Sequence, residues 1–140
     1  MGWNMKKLGG ELGFTMVEII IVVTIMGIIG AMLVPQFSRT TEKAKITTDI
    51  SSIKAIQRQI NRYYAEFGKL PGNSPQTILT ELVTKDYVDG SYVSGGNLEV
   101  GTSGAQMIFD VTQNQVKLKV SVNQYNLFLG QTEQLAWLTH

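Results

Sequence analysis

The side chain best placed for unusual chemistry is Glu18, because nothing charged surrounds it. It lies in residues 14–34, FTMVEIIIVVTIMGIIGAMLV, a run with no Asp, Lys or Arg. A carboxylate held in lipid costs roughly a few kcal/mol, so an intramembrane acid usually has a partner and a task. The plainer alternative is that Glu18 sits at the membrane interface and reaches water. No other group suggests catalysis. The single histidine, His140, is the last residue. The sequence has no Gly-Lys-Thr phosphate loop, no HExxH and no nucleophile elbow. Asp86, Asp89, Glu99 and Asp110 are scattered singly among turn formers and strand ends, and cysteine is absent. A disulfide framework, a thiolate nucleophile and a Cys-based metal site are thereby excluded. The expectation is a protein without enzymatic activity, cofactor or metal.

The element that must carry Glu18 is a helix. At 1.5 Å per residue, residues 14–34 reach roughly 30 Å, the thickness of a bilayer's hydrocarbon core. The run is apolar on every side from Ile19 to Val23, unlike the amphipathic helix of a soluble domain. A conventional secretory signal peptide is the competing reading, with small residues near Gly30 and Ala31. It would leave Glu18 unexplained. Gly27, Gly30 and Pro35 punctuate the helix, which suggests close packing by small residues and a kink at Pro35.

The residues before the run add a more specific signal. Lys6 and Lys7, then Gly9, Gly10 and Gly13, stand ahead of Phe14-Thr15-Met16-Val17-Glu18. This arrangement resembles the class III signal of type IV pilins and type II secretion pseudopilins. The resemblance implies cleavage by a prepilin peptidase between Gly13 and Phe14, with N-methylation of the new terminus at Phe14. It also implies that Glu18, with Thr15, Gly27 and Pro35, serves assembly, Glu18 by pairing with the amino terminus of an adjacent subunit. The implied partners are further copies of the chain, an assembly platform membrane protein with a cytoplasmic ATPase, and membrane lipid before assembly. Nucleic acid is a further partner that no feature singles out. The implied location is the bacterial inner membrane, N-terminus cytoplasmic, and afterwards a periplasmic or surface filament.

Beyond Pro35 the pattern becomes amphipathic. Ile46, Ile50, Ile53, Ile56, Ile60, Tyr63 or Tyr64, and Phe67 recur at steps of three and four. Arg39, Lys43, Asp49, Lys54, Arg58 and Arg62 fall on the remaining faces. The helix is expected to continue to about Phe67, where Gly68 can take a left-handed cap and Pro71 prevents resumption. Ser74 and Pro75 then supply an N-cap and first-turn proline for a short helix to about Lys85, with Ile78, Leu79, Leu82 and Val83 on its apolar face. A period of two over Met107, Phe109 and Val111, and again over Val116, Leu118, Val120 and Val122, predicts a hairpin broken at Gln113-Asn114. Either Tyr92-Val93 or Leu98-Val100 could add a strand. The tail from residue 125 to 138 is apolar enough to pack, as helix or as strand.

The fold expected is therefore α+β: a long N-terminal helix packed on a small antiparallel sheet. Its parts are a leader (1–13), a transmembrane helix (14–34), a helical stem (35–68) and a head (69–140). Residues 36–69 carry a balance of +4 and residues 70–140 one of −3, which would suit stem-to-head packing between copies. A different class of reading is a single-pass anchor whose head binds a ligand or partner without assembling.

Overall fold

The computed structural model describes residues 13–140. The basic leader with Lys6, Lys7, Gly9 and Gly10 lies outside the described residues. The chain forms two compact units, Met1–Ser38 and Arg39–His140.

One helix, α1 (Met16–Phe67), supplies the described part of the first unit and the backbone of the second. It is α-helical through Pro35. In the second unit its inward face carries Ile46, Ile50, Ile53, Ile56, Ile60 and Tyr63, all buried. Each such isoleucine contributes roughly 1.5–3 kcal/mol by leaving water, so this stripe dominates the attachment of the head. Asp49 departs from the amphipathic pattern: it is buried rather than on a solvent face, 4% exposed. Of the two adjacent tyrosines, Tyr63 turns inward and Tyr64 outward. The helix stops at Gly68, whose φ of +68° is the left-handed conformation expected, and whose N–H bonds to the Tyr64 carbonyl at 2.8 Å.

Next comes α2 (Pro75–Thr84), with a full capping box between Ser74 and Thr77. Ile78, Leu79 and Leu82 pack from it into the core. Gly72 must be glycine for space, because a Cβ there would lie 2.9 Å from the Ile78 nitrogen. A 3-10 turn (Gly90–Tyr92) leads into β1 (Val93–Ser94) and β2 (Asn97–Leu98), which pair antiparallel.

The main sheet holds β3 (Gln106–Asp110), β4 (Gln115–Lys119) and β5 (Leu138–Thr139), in that order. β3 and β4 form the expected antiparallel hairpin, turning at Asn114 with φ +52°. β5 joins β4 in parallel, making the sheet mixed. The alternation predicted for Val111 and Val122 ends sooner than expected. Val111 lies in the turn, and Val122 opens α3 (Val122–Asn126) because Ser121 caps a helix there. The tail is both helix and strand: α3, then α4 (Thr132–Leu135), then β5. Phe128 sits fully buried between the two short helices.

Candidate functional site

Thr15 and Glu18 form a reciprocal cap at the start of α1. Glu18 Oε2 accepts from the Thr15 backbone N–H at 2.7 Å and from its hydroxyl at 2.9 Å, while the Glu18 N–H donates to Thr15 Oγ1 at 3.2 Å. This is the Thr-x-x-Glu capping box, which satisfies helix donors that have no partner in the preceding turn. The pair is legible in the sequence, since Thr15 and Glu18 stand three apart before an apolar run.

Beyond the cap the helix is bare. Ile19, Ile20, Ile21, Val22, Val23, Ile25, Met26, Ile28, Ile29, Met32, Leu33 and Val34 are all roughly half exposed or more. No part of this most apolar stretch of the helix is buried inside the chain. A Cβ built on Gly27 or Gly30 would meet nothing within 4 Å. Neither glycine, then, is required by packing within the chain. A surface this apolar needs lipid or other protein to cover it.

Three carboxylates of the second unit, those of Asp49, Asp89 and Asp110, are spent on the backbone. Asp49 accepts from Gly101 N at 2.8 Å and Thr102 N at 2.9 Å. Asp89 accepts from Ser91 N at 2.8 Å, a bond that holds its carboxyl below the usual range. Asp110 accepts from Thr112 N and Gln113 N and lies 3.3 Å from Lys117 Nζ. The Gln113 N–H does most to lower its pKa. At the end of α1, burial and the Glu81 hydrogen bond push the Tyr63 phenol up, and the bond to Glu66 does the same for Tyr87. These acids and phenols staple loops and helix ends together. His140, at the end of β5, rests its ring 4.6 Å from Tyr125.

The chain is also similar to characterised proteins of two kinds. The chain is 29% identical over 107 residues to a fimbrial protein of Neisseria meningitidis serogroup B, covering 76% of this chain and 61% of that one. It is 28% identical over 107 residues to a type IV major pilin protein of Neisseria gonorrhoeae, 76% of this chain and 49% of that one. It is 40% identical over 73 residues to the type II secretion system core protein G of Pseudomonas aeruginosa, 52% and 50% of the two chains. Its relatives are type IV pilins and type II secretion core proteins. The chain spans about half to just under two thirds of the length of these relatives. No family model matches it, and no solved structure does.

One functional relationship lay beyond sequence reasoning. The burial of Asp49 has no local signal, because its backbone partners lie more than fifty residues away.

Proposed function

We propose that this protein is the structural subunit of a type IV pilus-like filament, stored in a bacterial inner membrane through residues 14–34 and assembled through the same helix. The observation that carries the reading is the bare apolar length of α1 behind the Thr15–Glu18 cap. Among the described residues nothing buries its most apolar stretch, which suits lipid, and then further copies, as its cover. The pilin and secretion-protein relatives support the same reading.

In this account a prepilin peptidase cuts between Gly13 and Phe14, and Phe14 becomes the N-methylated terminus. The new amino group lies about one turn from Glu18. The lone carboxylate is expensive in lipid, and a subunit joining the filament offsets that cost by pairing it with a neighbour's terminus. The match between acid and terminus sets axial register. Gly27 and Pro35 then serve packing between helices of different copies, since no neighbour in the chain accounts for Gly27. A platform protein and its ATPase drive the transfer out of the membrane. A pilus and a secretion pseudopilus use the same physics, and the head decides between them.

The test is mass spectrometry of sheared filaments and membranes from cells that make the protein beside a prepilin peptidase. A chain beginning at N-methyl-Phe14 and present in filaments is expected. A chain retaining Met1, or one beginning beyond Gly30, overturns the peptidase step. A processed chain that never enters filaments favours the membrane-anchored alternative.

A further inference from the structure

The end of the second unit at which α1 enters is basic, and aliphatic side chains that the fold leaves uncovered border it. The unit begins at Arg39, five residues after the apolar run of residues 14–34 ends. Arg39, Lys43 and Lys45 stand within about 9 Å of one another along the helix. Glu42, the one acid among them, accepts from Gln124 Nε2 at 3.1 Å. Lys43 lies over the Phe128 ring at 5.4 Å. These two contacts bring α3 and Phe128 beside the first turns of α1 in this unit. Flanking them, Val122 is 56% exposed and Leu129 65%. Among the described residues of the unit, the other larger aliphatic side chain left so bare is Val111, in the β3–β4 turn.

The cations at this end are available. The side chains of Arg39 and Lys45 enter no ion pair, hydrogen bond or ring contact among the described residues, and neither does that of Lys119. All three are exposed. Lys119 closes β4 two residues before the Ser121 cap of α3. Glu99 shares a cleft with Lys45 without pairing to it.

Cations around two bare aliphatic side chains suit a surface that is anionic outside and apolar beneath. The headgroup layer of a bilayer containing acidic lipids is such a surface. A second copy of the chain fits less well, because two side chains supply little of the apolar area that an ordinary protein interface buries. We propose that this end of the second unit docks on the leaflet at which residues 14–34 leave the membrane. Arg39, Lys45 and Lys119 then meet the phosphates of anionic phospholipids, and Val122 and Leu129 dip between them. The inference rests on the reading of residues 14–34 as a membrane span, and adds that the stored subunit holds its head on lipid. Entry into a filament then requires release from that surface.

The chain has no cysteine, so Asn126→Cys gives a single labelling site, exposed and within α3. The full chain, carrying a fluorescent dye there, is reconstituted in phosphatidylcholine vesicles with or without phosphatidylglycerol. Acrylamide quenching of the dye should fall about threefold when phosphatidylglycerol is present, and high salt should restore it. A dye at Lys69→Cys, beyond the end of α1, should show no such change. Each cation near an acidic surface favours contact about fivefold, so exchanging Arg39, Lys45 and Lys119 together for Gln should erase the protection. Val122→Ser with Leu129→Ser should weaken it while every cation remains. Thermal unfolding in detergent separates loss of fold from loss of docking. Equal quenching in both kinds of vesicle, or full protection in the triple Gln variant, overturns the docking while the membrane span stands. Protection that follows the protein-to-lipid ratio rather than lipid charge assigns the surface to a second copy, and overturns it too. If alkaline carbonate extracts the chain from the vesicles, the span itself fails, and the docking fails with it.

Discussion

The carboxylate of Asp49 accepts a hydrogen bond from the backbone N–H of Thr102 at 2.9 Å, across a separation of 53 residues. The neighbouring Gly101 N–H takes the other oxygen at 2.8 Å. One buried side chain on α1 thus holds the loop that leads into β3. A hydrogen bond to a charged acceptor contributes about 1.5–3 kcal/mol, and its loss strands a buried donor. Asp49→Ala should lower stability by about 2–4 kcal/mol in thermal or denaturant unfolding of the processed protein. Asp49→Asn, which keeps one acceptor oxygen, should cost less. Equal stability of Asp49→Ala and wild type would show that the loop is held by packing alone.

Glu18 caps α1 through Thr15 and has the assembly role proposed above, and one substitution separates the two. Glutamine at the third helical position still completes a capping box, so Glu18→Gln keeps the Thr15 cap and removes only the charge. Membrane insertion and cleavage should persist in that variant while incorporation into filaments stops or slows greatly. Thr15→Val does the converse, weakening the cap by about 1 kcal/mol with the charge intact, and should lower filament yield less than Glu18→Gln does. The comparison is processed-subunit level against sheared filament yield. Normal filaments from Glu18→Gln would reduce Glu18 to a capping residue.

Gln57 closes the outer edge of β4 where β5 is too short to reach. Its Oε1 accepts from Val116 N at 2.8 Å and its Nε2 donates to the Asn114 carbonyl at 3.2 Å. The next donors along that edge, Leu118 N and Val120 N, go to the Trp137 and Thr139 carbonyls. The side-chain amide thus does the work of one more peptide unit, and an open strand edge invites pairing with other chains. Gln57→Ala should speed hydrogen exchange at Val116, cost about 1–2 kcal/mol, and increase aggregation. Unchanged protection of the Val116 amide would refute this role.

Asp110 should make the hairpin sensitive to acid. Its pKa lies below the ordinary 3.8, chiefly through the Gln113 N–H, with Lys117 assisting. A carboxyl whose pKa is depressed by folding contributes stability above its ordinary value and loses it as pH falls through the folded value. The contribution is therefore complete above pH 3.8 and disappears below it. Comparison of wild type with Asp110→Asn in unfolding experiments should show a stability gap near pH 6 that closes in stronger acid. A gap independent of pH would assign the effect to hydrogen-bond geometry rather than charge.

Helices α1 and α2 were written locally. The isoleucine spacing from Ile46 to Ile60 announced the buried face of α1, Gly68 its end, and Ser74-Pro75 the start of α2, because periodicity and caps depend on residues within a turn or two. The apolar run behind Thr15 and Glu18 was equally plain, since no neighbour elsewhere in the chain modifies it. Asp49 shows where local reading stops. On the helical wheel it is a charge among charges, and only the arrival of Gly101 and Thr102 turns it into a buried anchor. The tail was undecidable for a related reason: β5 exists because β4 offers Leu118 and Lys119 as partners, and a two-residue strand has no periodicity of its own. A groove lined by Ile56, Gln59, Tyr87 and Leu98 belongs to the tertiary structure as well, because α1 and residues 87–98 meet only once the chain has folded.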